Sequence, residues 1–169
     1  MGHPMARRLL DAGHHLVVYN RTPAKADDLV AQGAILRDTP AAVAREVDIV
    51  FSMLLDDACT QETTFGTDGI AAGLSPNAIH VCCSTISLAQ ARRLRDDHAE
   101  RGQIYVSANV LGRPPAAKTG TLFVMAAGDP AALDCLEPAL TCFGPNVFRL
   151  GHDPVQANLA KLSLNFMIY

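Results

Sequence analysis

The sequence has no tryptophan, and aromatic residues make up only 5% of its 169 residues. It also lacks any apolar run near the roughly 20 residues that a membrane-spanning helix needs. Neither sign of charge dominates, since the formal net charge is −3 at pH 7. These absences give no reason to expect a membrane or a nucleic-acid partner, and we predict a cytoplasmic protein.

Cysteine motifs are also missing. The five cysteines include no Cys-x-x-Cys pair, their number is odd, and Cys82 and Cys83 are adjacent. Zinc sites and disulfide frameworks have more regular spacing. We therefore expect reduced, buried thiols and no metal site.

The residues that are present predict a single domain of the α/β class. Short β-branched runs alternate with segments of helical periodicity, which is typical of βαβ units and a parallel sheet. The predicted strands are 15–19, 34–36, 48–54, 78–82, 105–110, 122–127 and 146–150. The predicted helices are 4–12, 23–32, 40–46, 58–65, 87–101, 130–143 and 155–169. We expect a doubly wound, mostly parallel sheet.

The start of the chain lacks two features that such a sheet has when it binds a dinucleotide. Helix 4–12 follows Gly2 directly, with no strand and no complete glycine-rich turn before it. In a G-x-G-x-x-G turn the third glycine allows close packing of helix on strand, and Gly2 fits that position. We expect a sheet without its first strand, with unpaired neighbouring edges and low stability.

A cationic turn follows the first predicted strand. Asn20, Arg21 and Thr22 come directly after Tyr19, and Lys25 lies one turn further on. At this place an acid accepts from the ribose 2′-hydroxyl of NAD, whereas an arginine accommodates the 2′-phosphate of NADP. A guanidinium suits phosphate because its donors are paired. The turn therefore predicts NADP in preference to NAD; the alternative is a solvated turn in which Thr22 caps a helix.

Two further clusters lie at strand ends. Met53 and Leu54 end the third predicted strand, and Ser84 and Thr85 follow the fourth. Ligands of doubly wound sheets bind outside the carboxyl ends of the strands, so these residues are expected to border cofactor or substrate. The alternative is that both segments are ordinary strand-to-helix connections.

Lys161 lies in an otherwise apolar part of helix 155–169, and Asn165 follows four residues later. Residues four apart share one face of a helix. A lysine buried without a partner is unfavourable, so Lys161 either extends to solvent or serves a site.

Six motifs occur in order along essentially the whole chain. They are Gly2-x-Pro4-Met5-Ala6, Val18-Tyr19-Asn20-Arg21-Thr22-x-x-Lys25, Ser84-Thr85-Ile86-Ser87, Gly120-Thr121-Leu122, Ala127-Gly128-Asp129 and Lys161-Leu162-x-x-Asn165. Together they resemble the β-hydroxyacid dehydrogenase family. That family includes 3-hydroxyisobutyrate dehydrogenase and glyoxylate/succinic semialdehyde reductase, and is related to 6-phosphogluconate dehydrogenase.

The resemblance implies a Rossmann-like domain of an oxidoreductase that transfers a hydride between NADP(H) and a small 3-hydroxy acid, aldehyde or related carbonyl compound. In that family the lysine matching Lys161 is the general acid/base. The asparagine matching Asn165 hydrogen-bonds the substrate and holds the lysine. Thr85 matches a cofactor-contacting threonine, and we place Gly2 and Met5 in the same cofactor site.

One segment departs from the family pattern. Where the family has Asp-Ala-Pro-Val-Ser-Gly-Gly, this chain has Ser107-Ala108-Asn109-Val110-Leu111-Gly112-Arg113. The family's serine and glycines bind the substrate carboxylate, and Leu111 has no donor to replace that serine. We assign Leu111, Gly112 and Arg113, together with Ser84, to substrate binding. Either Arg113 binds the anion, or the substrate is of another kind, as in the related imine reductases.

The resemblance also implies how the chain is divided. Residues 1–154 are expected to form the NADP-binding domain, and residues 155–169 to begin the helix that links it to an all-helical domain. In the family that second domain completes the active site and forms a homodimer, and the partner is a small-molecule substrate. A non-catalytic dinucleotide-binding fragment and an imine-reductase-like enzyme are the two alternatives.

Overall fold

A computed structural model describes residues 1–168, with the side chain of residue 168 left aside. The helices are α1 (Gly2–Asp11), α2 (Asp27–Val30), α3 (Pro40–Ala44), α4 (Asp57–Phe65), α5 (Ile70–Gly73), α6 (Leu88–Glu100), α7 (Pro114–Thr119), α8 (Pro130–Thr141) and α9 (Val155–Ile168). The strands are β1 (Val17–Val18), β2 (Ile35–Leu36), β3 (Ile49–Ser52), β4 (Ile79–Cys82), β5 (Ile104–Leu111), β6 (Phe123–Ala127) and β7 (Asn146–Arg149). A 3-10 turn, Pro23–Ala26, precedes α2.

The strands form two sheets. β3 to β7 form a five-stranded sheet in chain order, parallel throughout except for the antiparallel pair β5 and β6. β1 and β2 pair only with each other, in parallel. The predicted α/β fold with a mostly parallel, doubly wound sheet is confirmed. The chain therefore forms one small sheet from β1 and β2 and one larger sheet from β3 to β7.

The core lies on both faces of the larger sheet because successive strand residues point to opposite sides. On β5, Val106 and Ala108 belong to a large apolar cluster that includes residues of α1 and α8. Tyr105 points the other way and packs with Leu94 of α6 and Val155 of α9. The helices thus enclose β5, and α9 covers the face that carries Tyr105.

The cap predicted at the cofactor turn is wrong in one respect. Thr22 precedes the 3-10 turn, but its side chain makes no capping hydrogen bond. Instead, the carboxamide oxygen of Asn20 accepts a hydrogen bond from the Thr22 amide at 3.4 Å. The Thr22 hydroxyl is therefore left exposed at the turn, and the predicted helix 23–32 is shortened to a 3-10 turn and α2.

A buried polar chain runs beneath the sheet and starts at Gln103. The Gln103 Nε2 group donates to the carbonyl oxygens of Ala71 and Leu74 at 2.9 and 2.7 Å. Since the amide nitrogen is fixed by two acceptors, the Gln103 oxygen must accept. It lies 2.7 Å from Nδ1 of His98, so that nitrogen carries the proton.

The proton on Nδ1 of His98 determines where the other protons of this hydrogen-bonded chain lie. Nε2 of His98 must accept, and it receives the Nδ1 proton of His80 at 2.9 Å. Nε2 of His80 then accepts from the Ser52 hydroxyl at 2.8 Å. Both imidazoles are fully buried and neutral, and their chain ends at the carboxyl end of β3. It holds Ser52, directly before the predicted cofactor residues Met53 and Leu54.

Acid should weaken this fold through His98. Burial lowers the pKa of His98 from 6.5 to about 4, and burial with a neighbouring imidazole lowers the pKa of His80 as well. The unfolded chain therefore binds more protons in this window. The contribution of neutral His98 to the free energy of unfolding is complete above pH 6.5 and is lost as the pH falls through about 4.

We expect the free energy of unfolding to fall by about 3 kcal/mol across this window from His98 alone. Urea unfolding at a series of pH values measures it. His152→Gln, which changes an exposed histidine, should keep the same pH dependence. A free energy of unfolding that stays constant between pH 6.5 and 4 would contradict the assignment of uncharged imidazoles to this hydrogen-bonded chain.

Candidate functional site

Ser84 joins the carboxyl ends of three neighbouring strands. Its hydroxyl oxygen accepts a hydrogen bond from the Leu54 amide at 2.7 Å. Its carbonyl oxygen accepts from the side-chain amide of Asn109, also at 2.7 Å. Ser84 and Asn109 are fully buried. The segments after β3 and β4 are therefore fixed relative to β5.

The start of α1 packs closely on the end of β3. A Cβ atom placed on Gly2 would lie 3.3 Å from the Cβ atom of Met53, tighter than ordinary van der Waals contact. Gly2 therefore allows the close helix-to-strand approach predicted for the third glycine of a dinucleotide-binding turn. Met5 is 4% exposed and packs in the main core, so it has little surface to offer a ligand.

The cationic turn lies at the same edge as the start of α1. Helix α1 runs from that edge to the opposite one, and β1 returns the chain to the turn. A contact of 2.7 Å between His3 of α1 and Asp28 of α2 ties the two segments together. Arg21 and Lys25 are exposed, and neither forms an ion pair within the described residues.

Thr85 adds an exposed side chain at the carboxyl end of β4. Leu55, which follows Leu54, is 86% exposed although it is apolar. Thr85 and Leu55 thus flank the buried Ser84 link. The arrangement can offer a hydroxyl donor and an apolar surface to a ligand outside the strand ends.

Helix α9 runs beside β5 toward the same edge. Its first residue, Val155, packs with Tyr105, and the Asn158 amide donates to the Ser107 hydroxyl at 2.8 Å. Three residues along α9, from Val155 to Asn158, thus accompany two residues along β5, from Tyr105 to Ser107. Lys161 follows on the same helix face, toward the end of β5 that carries Asn109.

Lys161 is 7% exposed, so most of its side chain is covered by the fold. Burial lowers the pKa of Lys161, which makes the ammonium group a stronger acid. No ionisable group of the described chain contributes to that shift. Asn165 lies one turn further along α9 and is half-buried.

The segment assigned to the substrate follows β5. Leu111 is half-buried at the strand end, and Gly112 adopts a φ of +142° that favours glycine. A Cβ atom on Gly112 would lie 2.6 Å from the Leu122 side chain. Arg113 is exposed, and its guanidinium has no ion pair in the described part of the chain.

Sequence reasoning missed the importance of Asn109 and Asn158. It named Asn109 only as part of a departure from the family pattern, and it did not single out Asn158. The signal was present in the alternation along β5, where Tyr105, Ser107 and Asn109 occupy every second position of an otherwise apolar strand. Those three side chains form one polar stripe beneath α9.

An open cleft lies at the other end of the sheet. It has a volume of about 500 Å³ and includes Arg95, Asp129 and Asp153 in its lining. Tyr105, at the start of β5, also lines it, which places the cleft far from Asn109 along the same strand. It therefore contains none of the residues predicted for cofactor or substrate.

Residues 1–168 show neither a membrane-spanning helix nor a cluster of metal ligands. None of the helices described there is long and apolar enough to cross a membrane. The same residues contain no group of three or more His, Cys, Asp or Glu side chains able to hold a metal ion. Of the cysteines, Cys82 and Cys83 are buried whereas Cys135 is exposed, so the expectation of buried thiols holds for only part of the set.

Comparison with known proteins identifies the family to which the chain belongs. Residues 1–151 match the family described as the NAD binding domain of 6-phosphogluconate dehydrogenase. The match spans both sheets and all the strand ends discussed above. The chain belongs to this family.

Several curated relatives match nearly the whole chain. An uncharacterized oxidoreductase of Bacillus subtilis (strain 168), YfjR, is 44% identical over 99% of this chain and 59% of its own length. The NAD-dependent L-serine dehydrogenase of Pseudomonas aeruginosa is 35% identical over 99% of this chain and 56% of its own. The human cytokine-like nuclear factor N-PAC is 30% identical over 97% of this chain and 29% of its own.

Solved structures share the fold. Psf3 in complex with NADP+ and 2-OPP has a TM-score of 0.93 at 30% identity, covering 99% of this chain and 59% of its own. The 3-hydroxyisobutyrate dehydrogenase of Mycobacterium tuberculosis with L-serine has a TM-score of 0.92 at 26% identity, covering 99% and 56%. An imine reductase from Pseudomonas sp. has a TM-score of 0.86 at 25% identity, covering 99% and 58%.

The chain spans 59% of the length of its oxidoreductase relative from Bacillus subtilis. The domain fold and the family are thus shared with proteins that contain more sequence. The predicted membership in a dehydrogenase and reductase family is confirmed, and its relatives include both a hydroxyacid dehydrogenase and an imine reductase.

Removing the Ser84 hydroxyl should weaken the fold. Ser84→Ala leaves the Leu54 amide without its acceptor, and the free energy of unfolding should fall by about 1–3 kcal/mol. Chemical denaturation of the variant measures the change. Ser163→Ala, at an exposed position of α9, is the matched control. Equal stability of the two variants would show that the hydrogen bond from Leu54 to Ser84 does not contribute to the free energy of unfolding.

Proposed function

We propose that this chain is the NADP-binding domain of an oxidoreductase that interconverts a small 3-hydroxy acid, aldehyde or related carbonyl compound. The observation that carries the proposal is the placement of Arg21, Met53, Thr85 and Lys161 at one edge of the fold. The class of cofactor follows from the family, which is described as an NAD binding domain. The preference for NADP and the substrate class rest on the residues below.

The residues at this edge fit a dinucleotide. The amino end of α1 packs on Met53 through Gly2, and a helix amino end favours a phosphate because its amide groups are free to donate. Leu54 has its amide fixed by Ser84, so the strand end next to the ligand is rigid. The exposed Thr85 supplies a hydroxyl beside it.

Arg21 supports the choice of NADP. Its guanidinium is exposed, and no carboxylate of the described chain neutralises it, whereas Asp28 is engaged by His3. Asn20 and Thr22 lie on either side of it, and Lys25 adds a second cation one turn later. A charged hydrogen bond to a 2′-phosphate contributes about 1.5–3 kcal/mol.

Lys161 supports the reaction class. When bound, the nicotinamide donates or accepts the hydride at the substrate carbon. During reduction, the Lys161 ammonium gives its proton to the substrate oxygen as that oxygen gains negative charge. Burial lowers the pKa of Lys161 and so favours this transfer. Asn165, four residues later, is assigned to orient the substrate from the same helix face.

Arg113 supports an anionic substrate. Leu111 lacks a hydroxyl, and Pro114 and Pro115 lack backbone donors, so the guanidinium is the strongest donor of this segment. An imine-reductase-like activity is favoured by the apolar Leu111 and by structural similarity to an imine reductase. A non-catalytic dinucleotide-binding role is the other alternative, and one relative is named as a nuclear factor and not as an enzyme.

The choice of cofactor depends on Arg21. Arg21→Ser should weaken NADPH binding by about tenfold or more while NADH binding changes little, because only NADPH carries the 2′-phosphate. Isothermal titration of the chain with each cofactor measures both affinities. Arg45→Ser, an exposed arginine after α3, should leave both unchanged. Equal losses for NADPH and NADH in the Arg21 variant would remove the assignment to NADP.

Catalysis depends on Lys161. In a longer form of the protein that includes the expected all-helical domain, Lys161→Ala should lower turnover of glyoxylate or succinic semialdehyde with NADPH by about 10²- to 10⁴-fold while cofactor affinity is retained. Loss of NADPH absorbance follows the reaction. Lys118→Ala, at an exposed position of α7, is the control. Undiminished turnover in the Lys161 variant would refute its role, and cofactor binding by that longer form without any turnover would favour the non-catalytic module.

A further inference from the structure

Two buried side-chain oxygens on either side of the β5 and α9 contact have no hydrogen-bond partner. They are Oδ1 of Asn109, which is fully buried, and Oδ1 of Asn158, which is 1% exposed. The nitrogen of each carboxamide is already used, by the Ser84 carbonyl and the Ser107 hydroxyl respectively. A buried acceptor without a donor is unfavourable, so each oxygen calls for a donor nearby.

The orientation of the Asn109 side chain is fixed by its partner. The Ser84 carbonyl can only accept, so the Asn109 nitrogen must point toward β4, and its oxygen must point away from β4. On α9, Asn158 is three residues before Lys161 and shares its helix face. Both unpaired oxygens thus belong to the contact of β5 with α9, the helix that carries Lys161.

Lys161 has the opposite deficiency. Its ammonium carries three donors, the residue is 7% exposed, and it forms no hydrogen bond among residues 1–168. A buried cation without acceptors is strongly unfavourable. The deficiencies match in sign, because Lys161 has donors without acceptors whereas Asn109 and Asn158 have acceptors without donors.

We propose that Asn109 and Asn158 are positioning residues for Lys161, whose ammonium donates to both of their side-chain oxygens. Asn158 then connects the lysine through Ser107 to the hydroxyl of Tyr105, which lies 3.2 Å from the Ser107 hydroxyl. Asn109 connects it through Ser84 to the amide of Leu54. The inference rests on the proposed function only in taking Lys161 as the acid.

The path of hydrogen bonds through Ser84 and Asn109 relates the cofactor segment to Lys161. Leu54 is assigned to the cofactor and Lys161 to the substrate oxygen, and Ser84 with Asn109 forms a direct path of hydrogen bonds between them. The distance from cofactor to acid is thereby set by buried groups with defined partners. Hydride and proton transfer both require such fixed distances.

The charged neighbours of Lys161 are few. On β5 the titratable group facing α9 is Tyr105, and burial raises the pKa of its phenol, which stays neutral. On β4 the buried Cys82 thiol also has a raised pKa and stays neutral. The titration of Lys161 therefore reports on its own hydrogen bonds more than on other charges.

Lysine labelling tests the proposal in the chain as it exists. The sequence has only three lysines, Lys25, Lys118 and Lys161. Carbon-13 at the Cε atom gives one NMR signal for each, and Lys161→Arg identifies the third. Asn158→Leu and Asn109→Leu should each lower the pKa of Lys161, weakening proton binding by about tenfold for each lost hydrogen bond. Asn158→Asp should raise it.

A control and a second measurement complete the test. Asn146→Leu, at an exposed position of β7, should leave the Lys161 titration unchanged. In the unaltered chain, the Lys161 ammonium protons should exchange more slowly than those of Lys25 and Lys118, a result that depends on no variant folding.

Failure of this proposal is distinct from failure of the proposed function. An unchanged Lys161 titration in both leucine variants, or exchange as fast as that of the other lysines, would overturn the positioning role even if Lys161→Ala abolishes turnover. A shifted titration with turnover unaffected by Lys161→Ala would instead keep the positioning role and refute the catalytic one.

Discussion

The pair of hydrogen bonds at Ser84 is the constraint on which the rest of the site depends. One bond holds the Leu54 amide after β3, and the other holds the Asn109 side chain on β5. Because Ser84 is fully buried, neither bond competes with water. Three strand ends thus form one rigid edge, and the groups assigned to cofactor and substrate are attached to it.

Buried polar groups support that edge from two sides. On one side Gln103 fixes the protons of His98 and His80, and the chain ends at Ser52, just before the cofactor segment. On the other side Asn158 anchors α9, the helix that carries Lys161, to Ser107 of β5. The exposed cations act differently, since Arg21 and Arg113 keep their donors free for a ligand.

Much of this was predictable from the sequence, for physical reasons. The alternation of β-branched runs with helical segments predicts the α/β fold. Thr39 and Ser87 belong to residue types that commonly cap helices, and their hydroxyls accept from amides three residues later. Other features depend on long-range contacts that no local pattern contains. The link from Ser84 to Asn109 crosses 25 residues, and that from Ser107 to Asn158 crosses 51. The separation of β1 and β2 from the larger sheet likewise depends on which strands pair.

The central claim is that a nicotinamide dinucleotide binds at the edge formed by the ends of β1, β3 and β4. Proton–nitrogen NMR spectra of the labelled chain, recorded as NADPH is added, test it residue by residue. The account predicts that the largest shifts occur at the amides of Gly2, Arg21, Leu54 and Thr85. Shifts centred on Asp129 and Asp153 in the cleft at the opposite end, or no shifts from a folded sample, would contradict it.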